Sequence, residues 1–138
     1  QVLRRSTGDW VVVDFEGEPL RPLAERNRVD SPLRDVAGML RSFDYVVGAR
    51  RNTAEDAAAR EAVDGAWAHR NRSAFLDGYI AESGVDLRAH RALLDAFELD
   101  KAVYEAMYEA RNRPTWSPIP LAAVEHLVSA DRARARPR

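Results

Sequence analysis

A carboxylate at the end of an apolar segment is the first feature of this sequence that could do chemistry. The segment Val12-Val13-Asp14-Phe15-Glu16-Gly17 leads from β-branched residues into an acidic residue, an aromatic residue and a glycine-containing turn. Magnesium takes hard oxygen ligands and is usually held by one or two carboxylates together with phosphates. Asp14 is therefore a candidate magnesium ligand. The alternative is an ordinary turn after a strand, because a D-F-x-G string is short and common.

A second candidate site lies in the segment from Tyr104 to Trp116. Tyrosines and an asparagine recur there every fourth residue on one helix face, and glutamates with the same asparagine form an adjoining polar stripe. Sugars need this mixture, since carboxylates and amides pair with hydroxyls and aromatic rings cover apolar C–H faces. The alternative is a solvated face with two tyrosines at a core boundary and a tryptophan that fills the core. The candidate sugar-binding residues are Tyr104, Glu105, Tyr108, Glu109, Asn112 and Trp116.

The elements that must position these residues are a β-hairpin followed by helices. Residues 1–15 predict the hairpin, with turn residues between Arg5 and Trp10. Residues 31–130 predict a helical subdomain, because apolar residues recur there with a helical period. Residues 131–138, rich in arginine, are expected to be a basic, disordered tail. The fold class is thus mainly α with a short β-hairpin.

Start and stop signals divide the helical part. Ser31 and Pro32 favour a helix start, and Gly48 indicates its end. Residues 71–73 are a possible interruption of the next helix, which Gly84 ends. Asp86 is expected to cap the following helix, a separate helix is expected from about Asp100 to Asn112, Pro114 closes it, and Pro120 begins the last one.

Composition excludes several function classes. The 138 residues suit one domain, and the net charge of −1 gives no long-range attraction to nucleic acid. No apolar run is long enough for a membrane span. The chain has no cysteine, which removes disulfides and thiolate metal sites and fits a cytoplasmic protein.

Longer blocks of sequence resemble the maltokinases, which are aminoglycoside-phosphotransferase-like kinases that use ATP to phosphorylate maltose at its anomeric carbon. One block is Asp14-Phe15-Glu16-Gly17-Glu18-Pro19-Leu20, and it continues from Ser31 to Tyr45. A second block runs from Tyr104 to Trp116 and looks like the family's sugar-binding end. The resemblance extends from Gln1 to about Val128.

This resemblance implies part of the C-terminal lobe of a protein-kinase-like fold, with ATP and Mg²⁺ as cofactors. Gln1 matches the last residue of an H-G-D-x-H-x-G-Q loop, so Gln1 and Asp14 are the implied magnesium and nucleotide-phosphate ligands. The catalytic aspartate and the N-terminal lobe are expected upstream of this chain, so the chain alone is expected to be inactive.

The implied reaction gives maltose 1-phosphate and ADP and feeds α-glucan, or glycogen, synthesis. The expected partners are maltose and the N-terminal lobe, with fusion to a trehalose synthase left open; no nucleic acid or membrane is expected. The alternatives are a related kinase for another sugar such as glucosamine, or a non-catalytic helical or pseudokinase module.

Overall fold

The computed structural model describes residues 2–13, 17–53 and 57–135. It is mainly helical with one two-stranded antiparallel hairpin, which confirms the predicted fold class. The chain divides into two compact units between Ser31 and Pro32. The elements are β1 (Val2–Arg4), β2 (Trp10–Val12), α1 (Leu23–Arg26), α2 (Leu33–Thr53), α3 (Ala57–Ser83), α4 (Arg91–Asn112), a 3₁₀ helix (Pro114–Trp116) and α5 (Pro118–Ala135).

The first unit begins with the predicted hairpin. Val2 pairs with Val12 and Arg4 pairs with Trp10. The turn between the strands is closed by a hydrogen bond of 2.8 Å from the Arg5 amide to the Asp9 carbonyl. Gly8 in this turn has a φ of 96°, a left-handed conformation that residues with a side chain rarely adopt.

The core of the second unit forms around α2. This helix packs against α3, α4 and α5, while α5 packs mainly on α4. The apolar residues that recur along α2 with a helical period face inward, as the sequence predicts. The buried core residues are Leu33, Val36, Ala37, Leu40, Leu87 and Leu94, and Phe75, Leu76, Tyr79, Val85 and Phe97 pack against them.

The predicted end of α2 at Gly48 is wrong, because the helix continues to Thr53. Gly48 serves a close helix contact instead. A Cβ atom at this position would lie 2.6 Å from Cγ1 and 2.7 Å from Cγ2 of Ile119, in the first turns of α5. Glycine is therefore the residue that lets α5 approach α2 this closely.

The expected interruption of α3 at residues 71–73 is also absent, since α3 is one continuous helix from Ala57 to Ser83 in the described part of the chain. Asn71 donates a hydrogen bond of 2.8 Å from Nδ2 back to the carbonyl of Trp67, so its amide does not compete with the helix. Gly84 ends α3 as predicted, with a φ of 69° and its amide bonded to the Ile80 carbonyl.

The two helices expected after Asp86 are one. The Asp86 carboxylate accepts a hydrogen bond of 2.9 Å from the Arg88 amide within a turn, and α4 begins only at Arg91 and runs through Asp100 to Asn112. The last helix begins at Pro118 rather than Pro120. It continues to Ala135, although a disordered tail was expected from residue 131, because alanine and arginine are strong helix formers.

The tight contact at Gly48 yields a stability prediction. Gly48→Ala is expected to lower the free energy of unfolding by about 1–3 kcal/mol through overpacking against Ile119. Gly65→Ala in α3 is the matched control, because a Cβ atom there meets nothing within 4 Å. This control should raise the free energy of unfolding by up to about 1 kcal/mol through helix propensity. Urea denaturation measures both, and equal effects of the two variants would contradict the close helix contact.

Candidate functional site

A row of polar contacts joins α2 to α4 and to the turn that follows α4. We call this row the polar ladder. From one contact to the next, the residue number increases in α2 and in α4 alike. The two helices therefore lie side by side and run in the same direction. The contacts are Arg34 to Asp100 at 2.7 Å, Arg41 to Glu105 at 2.9 Å, Tyr45 to Glu109 at 3.2 Å, and Asn52 to the carbonyl of Thr115 at 3.3 Å.

Arg41 is the buried centre of the ladder, with 1% of its surface exposed. Its Nε donates a hydrogen bond of 2.9 Å to Oε2 of Glu105, and its Nη1 donates one of 2.9 Å to Oδ2 of Asp44. Nη2 lies 2.9 Å from the same Glu105 oxygen as an ion-pair contact, without the geometry of a hydrogen bond. A guanidinium is buried at tolerable cost only when it is paired in this way.

Arg72 extends this cluster from α3. Its Nη1 donates to Oδ2 of Asp44 at 3.2 Å, and its Nη2 donates to Oε2 of Glu98 at 2.7 Å. Glu98 is 2% exposed, so this ion pair joins α3 to α4 in a water-poor region. Three carboxylates and two guanidinium groups thus share one partly buried network across three helices.

Glu105 is the carboxylate through which Arg41 of α2 joins α4. Burial raises the pKa of Glu105, and the charge and hydrogen bond of Arg41 oppose that increase. The balance is upward, so the folded chain binds a proton at Glu105 more tightly than the unfolded chain does. Loss of Arg41 would remove the main opposing interaction and raise this pKa further.

Glu109 forms a second cluster one turn further along α4. Its side chain is buried and accepts a hydrogen bond of 3.2 Å from the hydroxyl of Tyr45. Arg113 donates to both of its oxygens, from Nε at 2.9 Å and from Nη2 at 2.6 Å. The hydrogen bond to Glu109 raises the pKa of Arg113, which is charged in any case.

The Arg113 guanidinium continues this cluster to the protein surface. Its central carbon lies 4.5 Å from the ring centroid of Trp116 and 6.0 Å from that of Tyr108. About half of the Arg113 side chain is exposed to solvent, while Tyr108 and Trp116 are half-buried. The end of α4 therefore presents two aromatic rings and a cation at the edge of a buried carboxylate.

The structure distributes the predicted sugar-binding residues between core and surface. Tyr104 is buried, and the carboxylates of Glu105 and Glu109 are held by arginines of the same chain. Asn112 is exposed, and its Nδ2 donates a hydrogen bond of 2.8 Å to the Tyr108 carbonyl. The aromatic and amide groups that reach solvent are therefore those at the C-terminal end of the segment.

The predicted metal and phosphate ligands, Gln1 and Asp14, lie outside the described residues. Within residues 2–13, 17–53 and 57–135 there is no group of three or more histidine, aspartate or glutamate side chains that could hold a metal ion. In the same part of the chain, no helix combines the length and the apolar character that crossing a bilayer demands.

Sequence reasoning missed Arg41, Tyr45 and Arg113, which organise this region. Arg41 and Tyr45 are polar or half-polar residues beside the apolar stripe of α2, and such positions ordinarily face solvent. The available signal was a shared spacing, because Arg41 and Tyr45 are four residues apart and so are Glu105 and Glu109. Because the two spacings are equal, two parallel helices can bring Arg41 against Glu105 and Tyr45 against Glu109 at the same time.

Comparison with known proteins finds similarity between this chain and kinases of sugars. No family model matches the chain. A glucosamine kinase of Mycolicibacterium smegmatis is 33% identical over an alignment of 134 residues that covers 93% of this chain and 32% of that protein. A glucosamine kinase of Streptacidiphilus jiangxiensis is 32% identical over an alignment of 126 residues that covers 87% of this chain and 27% of that protein. The chain thus spans between about a quarter and a third of the length of these relatives, which are similar to it along most of its own length.

The buried arginine yields a prediction about stability and its pH dependence. Arg41→Met is expected to lower the free energy of unfolding at pH 7 by about 3–5 kcal/mol, because Glu105 and Asp44 lose a buried partner. The loss should shrink as the pH falls from 7 toward the range in which a glutamate titrates. The pKa of Glu105 is raised, so Glu105 takes up a proton in the folded variant before it does so in the unfolded chain, and acidification favours the folded state.

The control for this variant is Arg91→Met. Arg91 pairs with Asp95 at 2.8 Å, but its side chain is 57% exposed, so this change should cost no more than about 0.5 kcal/mol. Urea titrations at several pH values measure both variants. A loss for Arg41→Met that matches the control, or that grows on acidification, would contradict the buried network.

Proposed function

We propose that this chain is part of a sugar kinase that transfers a phosphoryl group from ATP to a sugar hydroxyl. The observation that carries the proposal is the similarity to two glucosamine kinases along nearly the whole chain. The resemblance of the Asp14 and Tyr104–Trp116 blocks to sugar kinases of the maltokinase type supports the same class of reaction.

The substrate that we favour is glucosamine, because both relatives carry that name. Maltose is the second candidate, on the basis of the Tyr104–Trp116 segment. The two sugars make different demands on a site. Glucosamine brings a basic amine that needs an oxygen acceptor, whereas maltose brings a second glucose ring that needs an aromatic face. Tyr108, Asn112 and Trp116 offer rings and an amide carbonyl at the end of α4, and these are the groups that we assign to the sugar.

Two residues, Asp14 and Gln1, have oxygen atoms that suit magnesium. Asp14 would provide a carboxylate and Gln1 a side-chain carbonyl, and both are hard oxygen donors. In sequence these residues flank the Val2–Val12 pair of the hairpin, which joins the two strands at that end. Bound there, magnesium would neutralise charge on the nucleotide phosphates during transfer.

The protein's own groups would have separate tasks in this reaction. Asp14 would hold the phosphate end of the nucleotide. The end of α4 would hold the sugar, and positioning of the reactants supplies much of the rate enhancement of phosphoryl transfer. An aspartate upstream of Gln1 would orient the attacking hydroxyl.

The test is an assay of the full-length gene product with ATP, magnesium and either glucosamine or maltose, in which ADP release and the phosphosugar are both measured. We expect phosphorylation of glucosamine. Asp14→Asn should lower kcat by about a hundredfold or more, because charge stabilisation in the transition state is lost. The matched control is Asp77→Asn, which makes the same chemical change on an exposed position of α3.

Three outcomes discriminate among the alternatives. Turnover of maltose but not of glucosamine would favour the maltokinase assignment. Turnover of neither sugar would contradict the proposed function and favour a non-catalytic module. An Asp14→Asn variant within about threefold of the wild-type kcat would contradict the metal role of Asp14, since that loss is far below the usual one.

A further inference from the structure

One stripe of α2 frames the turn that follows α4. Tyr45 reaches Glu109 through its hydroxyl, Gly48 admits Ile119 at the start of α5, and Asn52 donates a hydrogen bond to the carbonyl of Thr115. These contacts recur about once per helical turn along α2. They fix the segment from residue 109 to residue 119 from one side, including the exposed groups at the end of α4.

Glu109 is the junction between this stripe and the surface. It is 1% exposed, and its two oxygens accept three hydrogen bonds within the protein, one from Tyr45 and two from Arg113. A carboxylate with this degree of burial and pairing has little capacity left for a sugar hydroxyl. Its burial and its hydrogen bonds suit a carboxylate that fixes the position of another side chain.

The group that Glu109 holds is Arg113. The two parallel hydrogen bonds from Nε and Nη2 fix the plane of the guanidinium, as a fork-shaped contact does. That guanidinium lies 4.5 Å from the ring centroid of Trp116, and the Trp116 amide donates a hydrogen bond of 2.8 Å to the Arg113 carbonyl. A change at Glu109 is therefore transmitted to the indole through Arg113.

The Tyr45 hydroxyl is well suited to keep its proton and to donate a hydrogen bond to Glu109 at all times. Burial raises the pKa of Tyr45, and the negative charges of Glu105 and Glu109 raise it further. An ordinary tyrosine already titrates near pH 10. The hydroxyl thus remains protonated at working pH and donates to Glu109 throughout.

We infer that Tyr45 is a positioning residue for the sugar-binding end of α4, acting through Glu109 and Arg113 on the orientation of Trp116. This inference rests on the proposed sugar-kinase function for its kinetic consequence. Tyr45 contacts Glu109 through its hydroxyl, and Glu109 in turn holds Arg113. The chain of contacts from Tyr45 to Trp116 joins the buried interior of the second unit to its half-buried aromatic edge.

The kinetic test compares Tyr45→Phe with Tyr79→Phe in the full-length gene product. Tyr45→Phe removes only the hydroxyl and keeps the ring. We expect the KM for the sugar to rise about fivefold to tenfold, with the KM for ATP within about twofold, because misplaced binding groups weaken the ligand that they touch. Tyr79 is a half-buried tyrosine on α3, outside this chain of contacts, so Tyr79→Phe should leave both KM values within about twofold. Equal changes in both KM values, or none, would overturn the inference.

A second variant tests whether Tyr45 acts through Arg113. Arg113→Lys removes the fork-shaped contact with Glu109 but keeps the charge. If the two residues act in one chain, Tyr45→Phe should change the sugar KM by less than about twofold in the Arg113→Lys background, because coupled residues are not additive. Full additivity of the two changes would contradict this route.

The third readout needs no sugar. Incorporation of 5-fluorotryptophan gives each indole its own ¹⁹F resonance, and a Trp116→Phe variant assigns that of Trp116. We expect Tyr45→Phe to shift the Trp116 resonance and to leave that of Trp67 in place. An unchanged Trp116 resonance would overturn the positioning role. If the wild-type protein phosphorylates neither sugar, the proposed function fails, while this spectrum still decides whether Tyr45 acts on Trp116.

Discussion

The buried guanidinium of Arg41 is the constraint on which the arrangement of the second unit depends. A charge with 1% exposure must be surrounded by carboxylates, and Glu105 and Asp44 provide them. Because Glu105 belongs to α4, this requirement selects one register between α2 and α4. Apolar contacts alone would tolerate small slips between the two helices, since they are not directional. The ion pairs are directional, and they join α3 as well through Arg72.

The same register determines what stands at the exposed end of α4. With Arg41 opposite Glu105, Tyr45 comes opposite Glu109 four residues later on both helices. Glu109 then fixes Arg113, and Arg113 lies against Trp116. In our account, the interior pairing of two helices thus sets the geometry of the proposed sugar-binding groups. We therefore propose that Glu105 and Glu109 support the site, and that Tyr108, Asn112 and Trp116 form the surface that meets the sugar.

Periodicity and turn chemistry were sufficient to predict the hairpin, the inward face of α2 and the end of α3 at Gly84. They failed where a residue served a partner distant in sequence. Gly48 resembles a helix end, but its role is set by Ile119. Asn71 is a different case, because its side chain bonds back to the Trp67 carbonyl in the same helix and is therefore tolerated in α3. Arg41 was not singled out from the sequence, because its partner Glu105 lies more than sixty positions away. The roles of Gln1 and Asp14 remain predictions. That of Gln1 comes from family resemblance, and that of Asp14 comes from the same resemblance and from its position after an apolar segment.

The most direct test of the α2–α4 pairing is native-state hydrogen exchange of the second unit. Local stability differs between elements, and elements that unfold together show one common free energy of exchange. The account predicts that the most protected amides of α2 and α4 share the highest free energy. Those of α3, which packs its backbone on α2 and reaches α4 through Arg72, should exchange at a lower one. A difference of more than about 1 kcal/mol between α2 and α4, or an α3 that outlasts both, would contradict the account.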